Sequence, residues 1–449
     1  MAMNEALAER TKKTRDFQSI LNDVQNYITN KYAVLVTNSG EEKQDLLKSF
    51  MTKYIEDQNL AADGMTTIEL VEQLYSEMAQ FSFLTKYLYQ SDVEEININS
   101  WEDVKITYSN GEILPAEGEF YNPTHAVDVI KRLLRQSKIV FDESKPLVRG
   151  HLNNKIRITA YMTPVVDETV GISASIRIVN PQKLGKKEFL YYNTATEEML
   201  NFLEEAFRYG ISICCTGATS SGKTTLMSYF LEKLPDNKRI FTAENGTREF
   251  DLVKRNTQGK VINNVIQTVT RDSEDIRQCI DSEKLLEFAL TTNPDYICVA
   301  EMKGPESFAA QEAARTGHAV ITTTHANGCE ATYARMVTLC KMKYDMKDET
   351  LYQLVTEAFP IVVFCKKLED NSRKIMEITE CVIQKDGSRK IQTLWQYYIH
   401  TTKIEENGKV KVKGEFKKVH SISKDLLKRL QENGMPEELR KRYAEKGEG

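Results

Sequence analysis

Residues Gly217 to Thr225 read Gly-Ala-Thr-Ser-Ser-Gly-Lys-Thr-Thr, the pattern G-x-x-x-x-G-K-[ST], and they restrict the fold more than any other stretch. Such a loop cradles phosphate only when a strand delivers the chain to it and a helix carries the chain away. Both flanks suit: Ile211-Ser212-Ile213-Cys214-Cys215 is a mostly apolar run, and Leu226-Met227-Ser228-Tyr229-Phe230-Leu231 has helical character. Gly217 and Gly222 let the backbone curl so that successive N–H groups and the helix N-terminus face negative charge. Ala218, Thr219, Ser220, Ser221 and Thr225 complete the expected binding loop. Lys223 adds a point charge for the β- and γ-phosphates, and the Thr224 hydroxyl is placed to ligate Mg²⁺. The expectation is a nucleoside triphosphate site.

Size allows more than one domain: the chain has 449 residues, 41% apolar and 28% charged, ordinary values for a globular protein. No apolar run approaches the length of a membrane span. The sequence starts Met1-Ala2-Met3-Asn4-Glu5, without the basic-then-apolar layout of a signal peptide, so a cytoplasmic location is expected, with membrane recruitment through partners. Net charge is −5, and the excess is acidic outside a mildly basic stretch from residue 403 onward. That balance argues against duplex DNA as a main ligand, which calls for a dense basic stripe. The 8 cysteines form no C-x-x-C pair, so a zinc knuckle is unsupported and most read as reduced core residues.

Periodicity divides the chain. Residues 1–75 read as an N-terminal helical segment: Phe17, Ile20, Leu21, Val24, Tyr27 and Ile28 recur at three- and four-residue steps. Residues 76–179 read as a small α/β domain, with strands from Ile96, a hairpin turn at Asn110-Gly111, a helix at about 123–137 capped by Asn122 or Thr124, and strands at Lys155–Tyr161 and Gly171–Val179. A connector follows at 180–195, opening Asn180-Pro181-Gln182-Lys183 and holding Gly185-Lys186-Lys187. From 196 to 449 strands and helices alternate: Thr196–Tyr209, the loop strand, Arg239–Ala243, a helix around Ser273–Thr292, Tyr296–Ala300, Pro305–Arg315 and Ala319–Thr324. Alternation of this kind implies a parallel sheet with helices on its faces. Hairpin signals at Asp386-Gly387 and Asn407-Gly408 suggest antiparallel additions, and residues 422–446 read as one or two charged helices.

Hydrolysis needs a group that aligns water. Tyr296-Ile297-Cys298-Val299-Ala300 ends in Glu301, which would emerge at the carboxyl edge of a parallel sheet, where ligands bind. Glu301 is the candidate base or water-positioning residue, acting through water or Mg²⁺. Glu244 ends the strand Ile240-Phe241-Thr242-Ala243 and is a further acidic group on that edge. His325 leaves the Thr322-Thr323-Thr324 run at a strand end, where it can donate to a γ-phosphate. His318 sits at the other end of the same strand.

Four blocks in this order resemble the type II/type IV secretion-system ATPases, the traffic ATPases of pilus assembly and conjugation. They are the Gly217–Thr225 loop; an acidic box, Thr242-Ala243-Glu244-Asn245-Gly246-Thr247-Arg248-Glu249-Phe250; the Walker B block Pro294–Glu301; and a histidine box, Thr316-Gly317-His318 through Thr323-Thr324-His325-Ala326-Asn327. Upstream, Glu95-Ile96-Asn97-Ile98-Asn99, Glu143-Ser144-Lys145-Pro146-Leu147-Val148, Arg157 and Ser175-Ile176-Arg177 are similar to the family's strands. The long N-terminus and the missing tetracysteine motif favour the tight-adherence and conjugation branch. The resemblance implies an α/β fold, a RecA-like P-loop NTPase domain preceded by a smaller α/β domain and an N-terminal helical segment, assembled as a homo-oligomer, a hexameric ring. It implies ATP and Mg²⁺ as cofactors, with Lys223, Glu301, Glu244, His325, Arg157 and Arg177 in catalysis and Thr224, Glu244 and Glu301 on the metal. It further implies inner-membrane assembly or secretion proteins as partners, peripheral membrane association through them, and no direct DNA binding. Arg157 and Arg177 would reach the γ-phosphate from the small domain, where a guanidinium fork suits charge spread over several oxygens.

The chain departs from the family's pattern at four places. Ser220 stands where glycine is usual, which is tolerable if its φ is not positive. Asn245 replaces the usual Asp, Lys303 the usual Arg, and Thr291 or Thr292 an arginine. These departures keep an ATP-binding scaffold with little turnover as one alternative; a nucleic-acid-translocating RecA-like motor is another.

Overall fold

The computed structural model describes residues 13–17, 19–21, 23–24, 27–28, 41–135, 139–153, 155–178, 184–271, 275–406 and 408–444. Residues 180–183 of the connector, Val179, Ser273 and Asn407 lie outside these, so the expectations that rest on them are not addressed. The chain divides into two compact units, Met1–Asn180 and Pro181–Gly449.

The first unit opens with a short parallel pair, β1 (Lys13–Arg15) on β2 (Leu60–Ala62). Helices Glu41–Asp57 and Thr67–Ala79 gather Leu47, Met51, Ile55, Leu70 and Leu74 around Ile20, Leu21, Val24 and Ile28. Residues 1–75 are thus not wholly helical: Leu60-Ala61-Ala62 follows Asn59, whose φ of 57° ends the first helix and turns the chain into a strand. Thr66 and Glu69 close the next helix start with a reciprocal capping box.

Five further strands and one more make a six-stranded antiparallel sheet among the described residues. They are β3 (Val93–Ser100), β4 (Asp103–Tyr108), β5 (Ile113–Pro115), β6 (Leu147–Asn153), β7 (Ile156–Met162) and β8 (Ile172–Ile178), in the order β5-β4-β3-β8-β7-β6. Alternation sets its two faces. Ile156, Ile158, Ala160, Ile172, Ala174, Ile176 and Ile178 are buried beneath the helix Pro123–Leu134, which Asn122 caps and which contributes Val129, Ile130 and Leu133. Arg157 and Arg177 fall on the opposite phase and stand directly across from each other in the β7–β8 ladder.

The second unit is a nine-stranded sheet among the described residues, built from β9 (Ile213–Thr216), β10 (Arg239–Glu244), β11 (Asn264–Val269), β12 (Tyr296–Val299), β13 (Ala319–Thr324), β14 (Ile361–Lys367), β15 (Arg373–Ile383), β16 (Arg389–Ile404) and β17 (Val410–Lys418). The order is β11-β10-β12-β13-β9-β14-β15-β16-β17; the six strands from β11 to β14 run parallel and the last three are antiparallel. The strand after the P-loop strand in the sheet is therefore β13, and the acidic strand β12 lies one place further out. Every residue of β9, β12 and β13 is buried, as expected when helices cover both faces. On one face Ile213 and Cys215 pack with Leu203, Phe207, Leu226 and Phe230. On the other, Cys214 packs with Val320, Tyr333, Val355 and Val362.

The α/β class and its alternation agree with the sequence reading; one strand does not. β11 lies in a stretch given no element, and the expected helix at Ser273–Thr292 shrinks to Ser282–Ala289 with single 3₁₀ turns at Ile276–Gln278 and Leu290–Thr292. Asp281 is the physical stop, capping the helix N-terminus through Lys284 N–H. At the far rim, β17 alternates half-buried Val410, Val412 and Phe416 with exposed Lys411, Lys413 and Lys417.

Candidate functional site

Register brings the carboxyl ends of the central strands level. Thr216 pairs with Thr324, Thr322 with Val299, and Val299 with Ala243. The P-loop, His325, Ala300-Glu301 and Glu244 therefore leave one sheet edge together. His318 immediately precedes the strand that His325 follows, so about 20 Å separates them, and its Nδ1 lies 3.2 Å from the Ala313 carbonyl. That amino edge carries a cleft of about 790 Å³ lined by Arg208, Lys238, Asp295, His318 and Arg429, remote from the loop.

The loop has the curl its sequence requires. Gly217 has φ of 141°, and a Cβ there would come within 2.0 Å of the Cys365 carbonyl on β14. Only glycine fits. Gly222 has φ of 93° and opens the helix Lys223–Glu232. Ser220 departs from expectation: its φ is 60°, the left-handed region its side chain was supposed to avoid. Lys223 is 7% exposed. Its ammonium donates to the carbonyls of Gly217 (2.8 Å) and Ala218 (2.7 Å). Ser221 Oγ and Thr216 Oγ1 are buried and have no protein hydrogen-bond partner. Orphaned hydroxyls beside a buried ammonium fit a polyphosphate better than they fit an apolar ligand.

Glu301 and His325 form one unit. The imidazole Nε2 is 2.8 Å from Glu301 Oε1, and Nδ1 is 2.9 Å from the Gly217 carbonyl. One ring nitrogen thus faces a carboxylate oxygen and the other a backbone carbonyl. The threonine run secures the chain around Glu301. Thr323 Oγ1 donates to the Ala300 carbonyl (2.7 Å) and Thr324 Oγ1 to the Met302 carbonyl (2.9 Å), while Met302 N–H reaches the Thr323 carbonyl (2.7 Å). These bonds clamp the backbone on either side of Glu301. Glu306, absent from the sequence reading, accepts from Lys303 N–H (2.7 Å) and Gly304 N–H (2.9 Å) and fixes the turn beyond it; an acidic residue in the first helical turn was its signal.

Glu244, expected in catalysis and on the metal, is turned inward in this structure. It is 0% exposed, and its carboxylate accepts from Thr242 Oγ1 (2.7 Å), Phe250 N–H (3.0 Å) and Glu249 N–H. Burial raises its pKa above the ordinary carboxylate range, opposed by those three bonds. Glu244 staples the 245–250 turn. Asn245 accepts from Ser282 Oγ (3.1 Å), tying the same turn to the next helix. Among the described residues no group of three or more His, Cys, Asp and Glu side chains could hold a metal ion. Mg²⁺ at this edge would be held by oxygens of a bound phosphate and by water, beside the half-buried Thr224. Arg157 and Arg177 belong to the first unit, where the ladder brings them to each other.

Loop, sheet order and edge residues define a P-loop protein of the RecA-like α/β class. The sequence pattern of the family described as type II/IV secretion system protein matches residues 128–440, and the chain belongs to that family. Relatives include an uncharacterized protein of Methanocaldococcus jannaschii, 28% identical over 235 residues (52% of this chain, 41% of that protein). The type IV secretion system protein VirB11 of Bartonella quintana is 30% identical over 188 residues (41% and 50%). This chain therefore spans about half or less of the length of the curated relatives it matches. Among solved structures, the VirB11 ATPase of the Brucella suis type IV secretion system is 22% identical with a TM-score of 0.35, covering 66% of this chain and 92% of its own. The Yersinia pseudotuberculosis ATPase DotB is 16% identical with a TM-score of 0.47, covering 78% and 81%.

Proposed function

We propose that this protein hydrolyses ATP with Mg²⁺ and uses the energy to drive a secretion, pilus-assembly or conjugation machine at a membrane. The observation that carries the reading is the convergence at one sheet edge of the Lys223 ammonium and the Glu301–His325 pair, which meet on the Gly217 carbonyl. Lys223 and the loop amides neutralise the phosphate tail, the Thr224 hydroxyl joins the metal, and Glu301 orients the attacking water. His325 holds the carboxylate and links its position to the loop. Family membership and relatives named for type IV secretion support the machine's identity.

The working form on this reading is a homohexamer at the cytoplasmic face, held there by inner-membrane proteins. On the same reading Arg157 and Arg177 neutralise the terminal phosphate, and a nucleotide-driven conformational change is the mechanical output. Phosphate release measured for the parent, Lys223→Ala and Glu301→Gln tests the core of this: turnover confined to the parent supports it, and equal rates in all three end it.

A further inference from the structure

We infer that Arg373, outside every motif of the nucleotide site, is a positioning residue that holds the P-loop in its phosphate-receiving curl. The inference rests on the proposed nucleotide binding at that loop. Arg373 is the first residue of β15, two strands from β9 in the sheet. Its Nε donates to the Ser220 carbonyl at 3.0 Å, and its Cδ lies 3.5 Å from where a Cβ on Gly222 would be. The guanidinium thus grips the apex of the loop from outside while its stem rests on the glycine that opens the helix.

The place it grips is the strained one. Ser220 has φ of 60°, a conformation that disfavours any residue with a Cβ and that persists only where the surroundings fix it. Gly217 and Gly222 adopt positive φ without that cost. A charge-assisted bond to the Ser220 carbonyl counters the strain where it arises. It also polarises the peptide whose N–H belongs to Ser221, so that amide becomes a better donor toward a phosphate. The adjacent Lys374 faces away and donates to the carbonyls of Tyr192 (3.1 Å) and Asn193 (2.6 Å). Consecutive residues of β15 therefore anchor the strand end from which Arg373 reaches out.

The test is titration calorimetry of Mg·ATP with the full chain and four variants: Arg373→Ala, Arg373→Lys, Ser220→Gly and the double variant Ser220→Gly/Arg373→Ala. Arg373→Ala is expected to weaken binding about tenfold, the scale of one charge-assisted hydrogen bond. Arg373→Lys, which keeps the charge and loses the planar fork, is expected to follow it. In the Ser220→Gly background the loss on removing Arg373 shrinks to about twofold, because glycine holds the curl unaided. In phosphate release KM rises while kcat at saturation changes little. Parent binding with Arg373→Ala unchanged overturns the inference. So does Arg373→Lys matching the parent, or equal losses in the two backgrounds. If Arg373→Ala fails to fold, the lysine variant carries the comparison. A parent that takes up no Mg·ATP counts instead against the proposed function.

Discussion

Glu301 accepts from a histidine whose other nitrogen is tied to the loop it must serve, so each of these side chains predicts a separate kinetic signature. Glu301→Gln keeps shape and removes the charge; phosphate release is expected to fall by about 10² or more with Mg·ATP affinity nearly unchanged. Lys223→Ala instead loses affinity. Gly217→Ala drives a methyl into the Cys365 carbonyl at 2.0 Å and is expected to lower the melting temperature and abolish nucleotide binding together. Glu244 predicts a pH effect. Its folded-state pKa is raised by burial, so over the interval between its ordinary range and the raised value the folded chain keeps a proton that the unfolded chain releases. Its contribution is complete below that interval and is lost as pH rises through it. Glu244→Gln is therefore expected to gain stability relative to the parent as pH rises above the ordinary carboxylate range, read by thermal unfolding at each pH. Residue types alone were enough to bring Lys223, Glu301 and His325 to one sheet edge, because a phosphate cradle and a charged strand end have few spellings. They did not reveal that Glu244 points inward, since only the fold of residues 245–250 turns backbone N–H groups onto its carboxylate.

Elements were legible wherever one periodicity ruled. β9, β12 and β13 are short apolar runs ending in polar groups, and the sheet buries them on both faces. β11 was not, although Val265-Ile266-Gln267-Thr268-Val269 has β-branched residues at four of five places. It lies at the sheet rim, half exposed, and lacks the apolar alternation that marks a strand over a core. In the Thr322-Thr323-Thr324 run two hydroxyls lace β13 to the chain around Glu301, a task that composition alone does not show. Thr323→Val and Thr324→Val are each expected to cost about 1 kcal/mol in denaturant unfolding. Both are also expected to lower kcat more than they raise KM, because Glu301 loses its fixed backbone while the loop keeps its curl.

At the scale of the molecule, the division after Asn180 falls in the stretch that proline, glycine and lysines mark as a connector. Arg157 and Arg177 stand across from each other on one unit, a placement readable only once β7 and β8 pair, since twenty residues part them in sequence. As members of the proposed site they predict that Arg157→Ala or Arg177→Ala lowers phosphate release by on the order of 10³, the scale of an arginine stabilising a transferring phosphoryl group. Mg·ATP uptake by the Gly217–Thr225 loop is expected to survive either change, which calorimetry on the same samples would show. The lysine-studded rim of the second unit bears on assembly. A strand that presents Lys411, Lys413 and Lys417 to solvent repels its own likeness, so neighbouring copies are discouraged from zipping edge to edge into fibres. Copies of this chain that associate are then expected to meet through other surfaces, leaving β17 as a margin open to solvent.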